Sequence, residues 1–184
     1  SLKKAVYQHT RCNTMKESMI QVICGPGRGK STGALGRGIS ALNKGQSVIM
    51  VQFLKGSLDL QNAEVIKRLE PEFKLFRFEK SSVIFDRLTD EEKNEACINI
   101  RNGLNFAKKV LATRECDVLI LDEILGILDE GIISLEELIN VIEQARQVEI
   151  SLILTGTVYP QELDGRVDEV TRLQTRYEEV KPEE

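Results

Sequence analysis

The amino-acid sequence predicts an α/β fold, a three-layer sandwich in which helices cover both faces of a mainly parallel sheet. Two observations favour this class. Short apolar runs end at a glycine or a carboxylate, which is typical of strands buried on both faces of a parallel sheet. Amphipathic helical patterns separate these runs, and such an alternation indicates right-handed βαβ units.

Five segments have the pattern of strands. Four of them are continuous apolar runs, at residues 19–24, 47–53, 117–122 and 150–155. The fifth, residues 73–78, alternates apolar with charged residues, as a half-exposed or edge strand does.

Three longer helices are predicted from their ends. The first covers residues 30–42 and stops at Asn43-Lys-Gly45, where glycine can form a C-cap. The other two begin at capping boxes, in which a hydroxyl residue is followed three positions later by glutamate. These boxes are Thr89 with Glu92, whose helix runs to about Thr113, and Ser134 with Glu137. A short helix is expected at residues 124–128.

The composition suits one domain. The chain has 184 residues, of which 41% are hydrophobic and 29% charged, and its net charge is −4. We expect a single domain at residues 19–177, a flexible N-terminal segment at 1–18 and an acidic tail at 178–184. No stretch approaches the ~20 apolar residues of a membrane span. The mild acidity argues against a protein that coats nucleic acid.

The cysteines indicate a reducing compartment. They stand at positions 12, 24, 97 and 116, a spacing that fits neither a zinc site nor a disulfide framework. The last three lie in apolar runs and are expected to be buried free thiols, in agreement with a cytoplasmic protein. The single histidine, His9, has no ligand-forming neighbours and is expected at the surface.

The most informative stretch is Gly25-Pro-Gly-Arg-Gly-Lys-Ser-Thr32, between the first predicted strand and helix. Its glycines allow the backbone to approach a ligand, and its N–H groups with the helix N-terminus form a cradle for phosphate oxygens. Lys30 can reach the phosphates, and the Ser31 hydroxyl can bind Mg²⁺. The loop is one residue shorter than G-x-x-x-x-G-K-[ST], because Cys24 stands where that pattern has its first glycine. A glycine-rich turn without a ligand is the disfavoured alternative.

A second element of such sites follows at residues 118–123, where an apolar strand ends in Asp122-Glu123. Either carboxylate could hold Mg²⁺ directly or through water at the carboxyl edge of the sheet. The alternative is a carboxylate that caps the helix at 124–128.

Weaker candidates are expected at the same edge. Thr155-Gly-Thr157 could line the nucleotide site or form a plain turn, and Lys55 could offset phosphate charge or lie at the surface. A cluster of phenylalanines is expected in the core, with the lining of an apolar ligand as the alternative; its members are Phe73, Phe76, Phe78 and Phe85. No nucleophile with a histidine base is evident, which suits a reaction whose co-substrate is itself a strong nucleophile.

These motifs resemble those of the RecA-like ATP:corrinoid adenosyltransferases. The phosphate loop of that family reads G-x-G-K-G-K-[ST]-[ST], with the same shortening. Residues 51–56, VQFLKG, are similar to its second-strand motif V-Q-F-x-K-G. Residues 119–124 look like its L-D-E-[LI], and Leu154-Thr-Gly156 resembles its [IL]-T-G. The four motifs occur in the same order and cover about residues 19 to 170.

The resemblance implies a RecA-like P-loop fold and a reaction. Members transfer the 5′-deoxyadenosyl group of ATP to Co(I) of a reduced corrinoid such as cobalamin, and inorganic triphosphate leaves. They hold ATP in reversed orientation on this loop and are typically homodimers. The corrinoid would receive electrons from a flavodoxin-type reductant.

The resemblance also implies roles for single residues. Lys30 would offset the triphosphate charge, and Ser31, or Thr32 beside it, would bind phosphate and Mg²⁺. Glu123 would complete the Mg²⁺ site, supported by Asp122. Lys30 and Glu123 are the residues expected to carry catalysis. The expected ATP-binding residues are Gly25, Pro26, Gly27, Arg28, Gly29, Lys30, Ser31 and Thr32.

The chain departs from the family in regions that help to enclose the corrinoid. Thr157 replaces an arginine after T-G, residues 80–86 replace a glycine- and aromatic-rich stretch, and the family's H-x-F and glycine run is not found after the last strand. A non-catalytic ATP-binding regulator is therefore one alternative. A phosphotransferase or ATPase similar to thymidine kinase is another, although that family has a loop of standard length and zinc-binding cysteine pairs.

Overall fold

The computed structural model describes residues 18–54, 60–78 and 85–178. Within these ranges six strands form one sheet in the order β3-β2-β4-β5-β1-β6, and every neighbouring pair is parallel. The strands are β1 (Ile20–Cys24), β2 (Val48–Gln52), β3 (Phe73–Arg77), β4 (Val118–Asp122), β5 (Ser151–Thr155) and β6 (Glu169–Arg172). The five predicted strands are confirmed to within one residue at each end, and the predicted edge strand, β3, lies at an edge.

Five helices are described in the same part of the chain: α1 (Lys30–Asn43), α2 (Leu60–Lys67), α3 (Asp90–Thr113), α4 (Ile124–Asp129) and α5 (Leu135–Gln147). Both predicted capping boxes are confirmed, because the Thr89 and Ser134 side chains each accept a hydrogen bond from the third residue of their helix. Gly45, just beyond α1, has a φ of 74°, as the predicted C-cap requires.

The sequence did not predict α2 and β6. β6 contains one apolar residue, Val170, whose side chain is exposed. An edge strand buries little surface, so the apolar run that marks the inner strands is missing here. α2 is short, and its segment shows no continuous apolar face that would mark a helix.

The core has two halves, one on each face of the sheet. Side chains of β4 alternate between them, with Leu119 and Leu121 on the face covered by α3 and α5, and Ile120 on the face covered by α1. This arrangement confirms the three-layer sandwich.

The prediction that the phenylalanines form a single cluster is wrong. Phe73 is buried in the half of the core beneath α1, whereas Phe76 and Phe78 lie on the opposite face against Phe106 of α3. The ring centroids of Phe76 and Phe106 are 4.6 Å apart. The alternation of side chains along β3 separates them. The side chain of Phe85 falls outside the described residues.

The cysteine predictions are confirmed in part. Cys24 and Cys116 are buried free thiols. Cys97 is only half-buried, because it lies on α3 between the buried face and the exposed face of that helix. Burial raises the pKa of the Cys116 thiol to about 12, so it stays protonated and unreactive. His9, Cys12 and Lys55 lie outside the described residues. Across the described ranges, no helix is long and apolar enough to cross a membrane.

Candidate nucleotide site

The predicted phosphate loop lies at the carboxyl edge of the sheet, where it connects β1 to α1. The ends of β2, β4 and β5 reach the same edge because these strands run parallel. Ligands of open α/β sheets bind at this edge. The structure thereby brings the loop together with Asp122, at the end of β4, and with Glu123.

The start of α1 is open to an anion. Gly29 precedes the helix with a φ of 100°, a left-handed conformation that glycine adopts without strain. The first hydrogen bond at the start of the helix is donated by the Gly33 N–H to the Gly29 carbonyl, at 2.7 Å. The N–H groups of Lys30, Ser31 and Thr32 come before Gly33 in the chain, so they belong to the first turn, whose N–H groups have no carbonyl partner within the helix. They therefore face out of the helix end, where a phosphate oxygen can accept from them.

The other side of the loop is covered by the segment that follows β6, residues Leu173–Thr175, which we call the arm. The Gly27 N–H donates to the Leu173 carbonyl at 2.9 Å, and the Arg28 N–H donates to Thr175 Oγ1 at 2.7 Å. The Gly25 N–H donates to the Thr157 carbonyl at 2.9 Å. Three of the N–H groups predicted to bind phosphate thus have protein acceptors in this structure, and Pro26 has no N–H to offer.

The arm also gives a physical reason for two of the glycines. A Cβ on Gly25 would lie 2.5 Å from the Leu173 carbonyl oxygen, and one on Gly27 would lie 2.6 Å from the Gln174 nitrogen. Real Cβ atoms do not approach backbone so closely. These glycines therefore allow the arm to approach the loop, a role that the sequence pattern did not indicate.

Lys30 folds back over the loop. Its Nζ donates to the Gly27 carbonyl at 2.8 Å, and the side chain is partly buried. The ammonium group is also close enough to act on Glu123, whose pKa is raised by burial and by Asp122 and is only partly offset by the Lys30 charge. Both residues predicted to carry catalysis thus lie in one site.

Asp122 is the centre of a buried polar network. Its carboxylate is fully buried, and Ser31 Oγ lies 2.8 and 3.0 Å from its two oxygens. Thr155 Oγ1 donates to one oxygen at 2.7 Å, and Gln52 Nε2 donates to the other at 2.8 Å. A buried charge needs such donors, because burial without them costs several kcal/mol. The network joins the first turn of α1 to the ends of β2 and β5.

Gln52 is a site residue that sequence reasoning missed. In the sequence it stands out only as part of the VQFLKG motif, in which Lys55 is the polar candidate, with an exposed position as its equal alternative. A signal was present, because Gln52 is a polar residue in the last position of an apolar strand. It is 4% exposed in the structure. For Thr155, the sequence left open whether it lines the site or forms a plain turn. The structure places its side chain in the Asp122 network.

Glu123 has an unusual backbone. It precedes α4 with a φ of 63°, a left-handed conformation that is uncommon for glutamate. Its N–H donates to Thr155 Oγ1 at 2.9 Å. Its side chain makes no capping bond to α4, so the alternative of a helix-capping carboxylate is wrong. Burial raises the pKa of Glu123, the Asp122 charge raises it further, and Lys30 acts in the opposite direction.

The donor set fits Mg²⁺. Ser31, Asp122 and Glu123 offer hard oxygen atoms, which this ion prefers. Among the described residues, no three His, Cys, Asp or Glu side chains come together as a metal cage. Mg²⁺ in phosphate sites keeps several waters and takes one or two carboxylates with substrate phosphates, so two carboxylates and a hydroxyl suffice.

The family model for ATP:corrinoid adenosyltransferase BtuR/CobO/CobP matches residues 16–182, which is most of the chain. The chain belongs to the ATP:corrinoid adenosyltransferase family. This confirms the enzyme class that the short loop and the VQFLKG motif indicated.

Several adenosyltransferases are similar over most of this chain. The corrinoid adenosyltransferase of Escherichia coli K12 is 28% identical over 158 residues, which are 86% of this chain and 77% of that protein. The corrinoid adenosyltransferase CobA of Salmonella typhimurium is 27% identical over the same shares of the two chains. An uncharacterised protein of Nostoc is 31% identical over 78% of this chain and 40% of its own length.

Solved structures show that this adenosyltransferase has a RecA-like P-loop fold. A KaiC-like protein of Pyrococcus horikoshii superposes with a TM-score of 0.56 at 15% identity, over 87% of this chain and 74% of that one. The flagellar accessory protein FlaH of Methanocaldococcus jannaschii gives 0.54 at 17% identity, over 84% and 70%. The predicted fold class is confirmed.

Proposed function

We propose that this adenosyltransferase transfers the 5′-deoxyadenosyl group of ATP to Co(I) of a reduced corrinoid, of which cobalamin is an example, and releases inorganic triphosphate. The Co(I) electron pair forms a bond to C5′, and the C5′–O bond breaks with its electrons moving to the triphosphate oxygen. The observation that carries the proposal is the short phosphate loop joined to the buried Asp122 network in a chain of this family.

The chain's own residues have a limited task in this reaction. Because Co(I) is the nucleophile, the protein must position the two reactants, exclude water and offset charge on the leaving group. The N–H groups that begin α1 would hold the triphosphate. Lys30, whose Nζ donates to the Gly27 carbonyl at 2.8 Å, has further N–H donors and would offset the charge of the phosphate oxygens.

Ser31, Asp122 and Glu123 would hold Mg²⁺ at the triphosphate. When bound, the ion would offset negative charge on the leaving group. The Asp122 network supports this assignment, because Gln52 and Thr155 fix the carboxylate beside the Ser31 hydroxyl. The orientation of the carboxylate is thus set before any ligand arrives.

The proposal has further parts that follow from the family resemblance. They are a reversed ATP orientation on the shortened loop, a homodimer, a flavodoxin-type reductant, a cytoplasmic location and no role for nucleic acid.

Phosphorus NMR of the products tests the proposal. The protein is incubated without oxygen with Mg-ATP and chemically reduced cobalamin, and a parallel sample lacks the corrinoid. We expect inorganic triphosphate only where Co(I) is present. ADP and phosphate formed in both samples would contradict the proposal and assign a phosphotransferase or ATPase.

A further inference from the structure

The arm makes contacts that adenosyl transfer by itself does not explain. It continues the pairing with β1 past the end of β6, with the Leu173 N–H donating to the carbonyl of Cys24, the last residue of β1, at 2.8 Å. It then runs along the phosphate loop as far as Thr175. That side chain is exposed, yet its hydroxyl oxygen accepts from the Arg28 N–H at 2.7 Å.

The peptide between Gly27 and Arg28 is held at both of its polar ends. Its N–H donates to Thr175 Oγ1, and its carbonyl accepts from Lys30 Nζ at 2.8 Å. Glycine on one side of this peptide permits its rotation at little cost. The contact with Thr175 therefore opposes rotation of this peptide. Such a rotation would also move the Gly27 carbonyl, which accepts from the Lys30 ammonium.

The arm is anchored to the same helix that begins at the loop. Arg37 of α1 donates to Glu169 at 2.7 Å and to Thr171 at 3.1 Å, both on β6. At the start of β6, Asp168 accepts from the Ile20 N–H at 2.7 Å. Thr175 thus follows a strand that is held against α1 and β1, and this strand limits the movement of its hydroxyl relative to the loop.

We propose that Thr175 is a positioning residue for the phosphate loop. By accepting from the Arg28 N–H, it holds the Gly27–Arg28 peptide in the orientation in which the Gly27 carbonyl accepts from the Lys30 ammonium. This inference rests on the proposed function to the extent that the ligand of the loop is a polyphosphate. Thr175 acts through the loop and is not assigned contact with the reacting atoms.

Binding of inorganic triphosphate to Thr175→Val and Thr175→Ser tests the proposal. Valine keeps the shape of threonine and removes the acceptor, whereas serine keeps the hydroxyl. Isothermal titration calorimetry with Mg²⁺ should show about two- to tenfold weaker binding for Thr175→Val, because one hydrogen bond no longer orders the loop. Thr175→Ser should bind as the unmodified chain does. Thr113→Val, at an exposed threonine that ends α3, is the matched control and should be unchanged.

A spectroscopic measurement separates positioning from a general loss of stability. The ¹H–¹⁵N resonance of the Arg28 amide should move upfield in Thr175→Val, as an amide that has lost its acceptor does, and return in Thr175→Ser. Gly27→Ala provides a second route, since its Cβ would displace the arm. In that background, the additional change Thr175→Val should have no further effect on triphosphate binding.

Unchanged triphosphate affinity in Thr175→Val would overturn the proposal. Tighter binding in Thr175→Val would also overturn the proposal, because it would show that the threonine hydroxyl of the unmodified chain competes with phosphate for the Arg28 N–H. If the unmodified chain binds triphosphate but yields ADP from ATP, the proposed function fails and this inference stands. If the unmodified chain binds no triphosphate, this inference fails, whereas the proposed function is decided by the products seen in phosphorus NMR.

Discussion

At the scale of single residues, the site depends on how a buried carboxylate is satisfied. Asp122 receives hydrogen bonds from a serine, a threonine and a glutamine that come from three different elements. Each donor removed leaves part of a buried charge unpaired, which costs more than the bond itself contributes. Gln52 provides the simplest test, because its loss does not touch the phosphate loop directly.

Replacing Gln52 with leucine should lower the free energy of unfolding by about 1–3 kcal/mol, the cost of an unsatisfied buried acceptor. Urea denaturation measures this change. Gln147→Leu, at an exposed position that ends α5, is the control and should have an effect within about 0.5 kcal/mol. Equal effects of the two substitutions would show that the Gln52 amide does not support Asp122.

Glu123 should make Mg²⁺ binding sensitive to pH. Its pKa is raised by burial and by Asp122, so protons compete with Mg²⁺ at a higher pH than for an ordinary glutamate. Triphosphate binding should require more Mg²⁺ as the pH falls towards that raised pKa. Glu123→Gln should need on the order of tenfold more Mg²⁺ at neutral pH and lose this pH dependence.

Calorimetric titrations with Mg²⁺ at several pH values make the measurement. Glu130→Gln is the control, because this exposed residue follows the opposite end of α4. A Mg²⁺ requirement that is the same in Glu123→Gln and in the unmodified chain would remove Glu123 from the metal site.

At the scale of elements, two glycines of α1 differ in what surrounds them. A Cβ on Gly38 would lie 2.7 Å from the Phe73 ring, whereas a Cβ on Gly36 would meet nothing within 4 Å. Gly36→Ala should therefore stabilise the protein by about 0.5–1 kcal/mol, because alanine suits a helix interior better. Gly38→Ala should destabilise it by about 1–3 kcal/mol, because the buried ring has no space to move into.

Thermal or urea unfolding of the two variants, which share a helix and a substitution, measures the difference. Stabilisation by both would show that α1 moves away from β3 at no cost. That result would contradict the close contact between the helix and the Phe73 ring.

The Glu137–Arg101 contact joins α5 to α3. Arg101 donates to Glu137 at 2.8 Å, and this bond, with the backbone N–H of Ser134, lowers the pKa of Glu137 to about 2. A lowered carboxyl pKa contributes stability that is present above the ordinary value of 4.5 and is lost as the pH falls towards 2. Glu137→Gln should keep the capping box and lose the charge.

At neutral pH, Glu137→Gln should lower the free energy of unfolding by about 1 kcal/mol, a value kept small because Arg101 is half exposed. Unfolding measured from pH 7 to pH 2 should show that the difference disappears at the acid end. Glu136→Gln, on the same turn but exposed, is the control. A constant difference across this range would contradict the role of the charge.

The contrast between elements also explains what the sequence could predict. Inner strands such as β4 are apolar throughout because both faces are covered, so their positions and the edge at which Asp122 lies follow from the pattern. β6 carries no such signal. The arm that covers the phosphate loop follows from the register in which β6 pairs with β1, and neither composition nor spacing encodes that register.

Side-chain partners were also less predictable than the motif itself. The loop and Asp122-Glu123 were identified from residue type and order. That Gln52 donates to Asp122 depends on β2 lying beside β4, with Gln52 opposite Asp122. The chain order of these strands, with β3 and α3 between them, gives no indication of that contact.

At the scale of the whole molecule, ligand binding and folding should be linked. A ligand that binds only the folded chain stabilises it, by about 2.7 kcal/mol at a concentration of one hundred times its Kd. Mg²⁺ with inorganic triphosphate should therefore raise the free energy of unfolding by about that amount. Lys30→Ala should lose about 1.5–3 kcal/mol of triphosphate binding and hence most of this stabilisation at the same ligand concentration.

Urea unfolding with and without ligand measures the effect. Lys44→Ala, at the exposed end of α1, removes a charge away from the loop and should retain the full stabilisation. Equal stabilisation of Lys30→Ala and the unmodified chain would contradict the assignment of the phosphate loop.

The position of β1 between β5 and β6 has a consequence for synthesis on the ribosome. β1 emerges before both of its neighbours, which belong to the last part of the described chain. Until residues 151–175 have been translated, both edges of β1 lack their partners and the loop lacks its arm. A nascent chain should therefore acquire polyphosphate affinity abruptly, once residues 151–175 have emerged, rather than when the loop itself emerges.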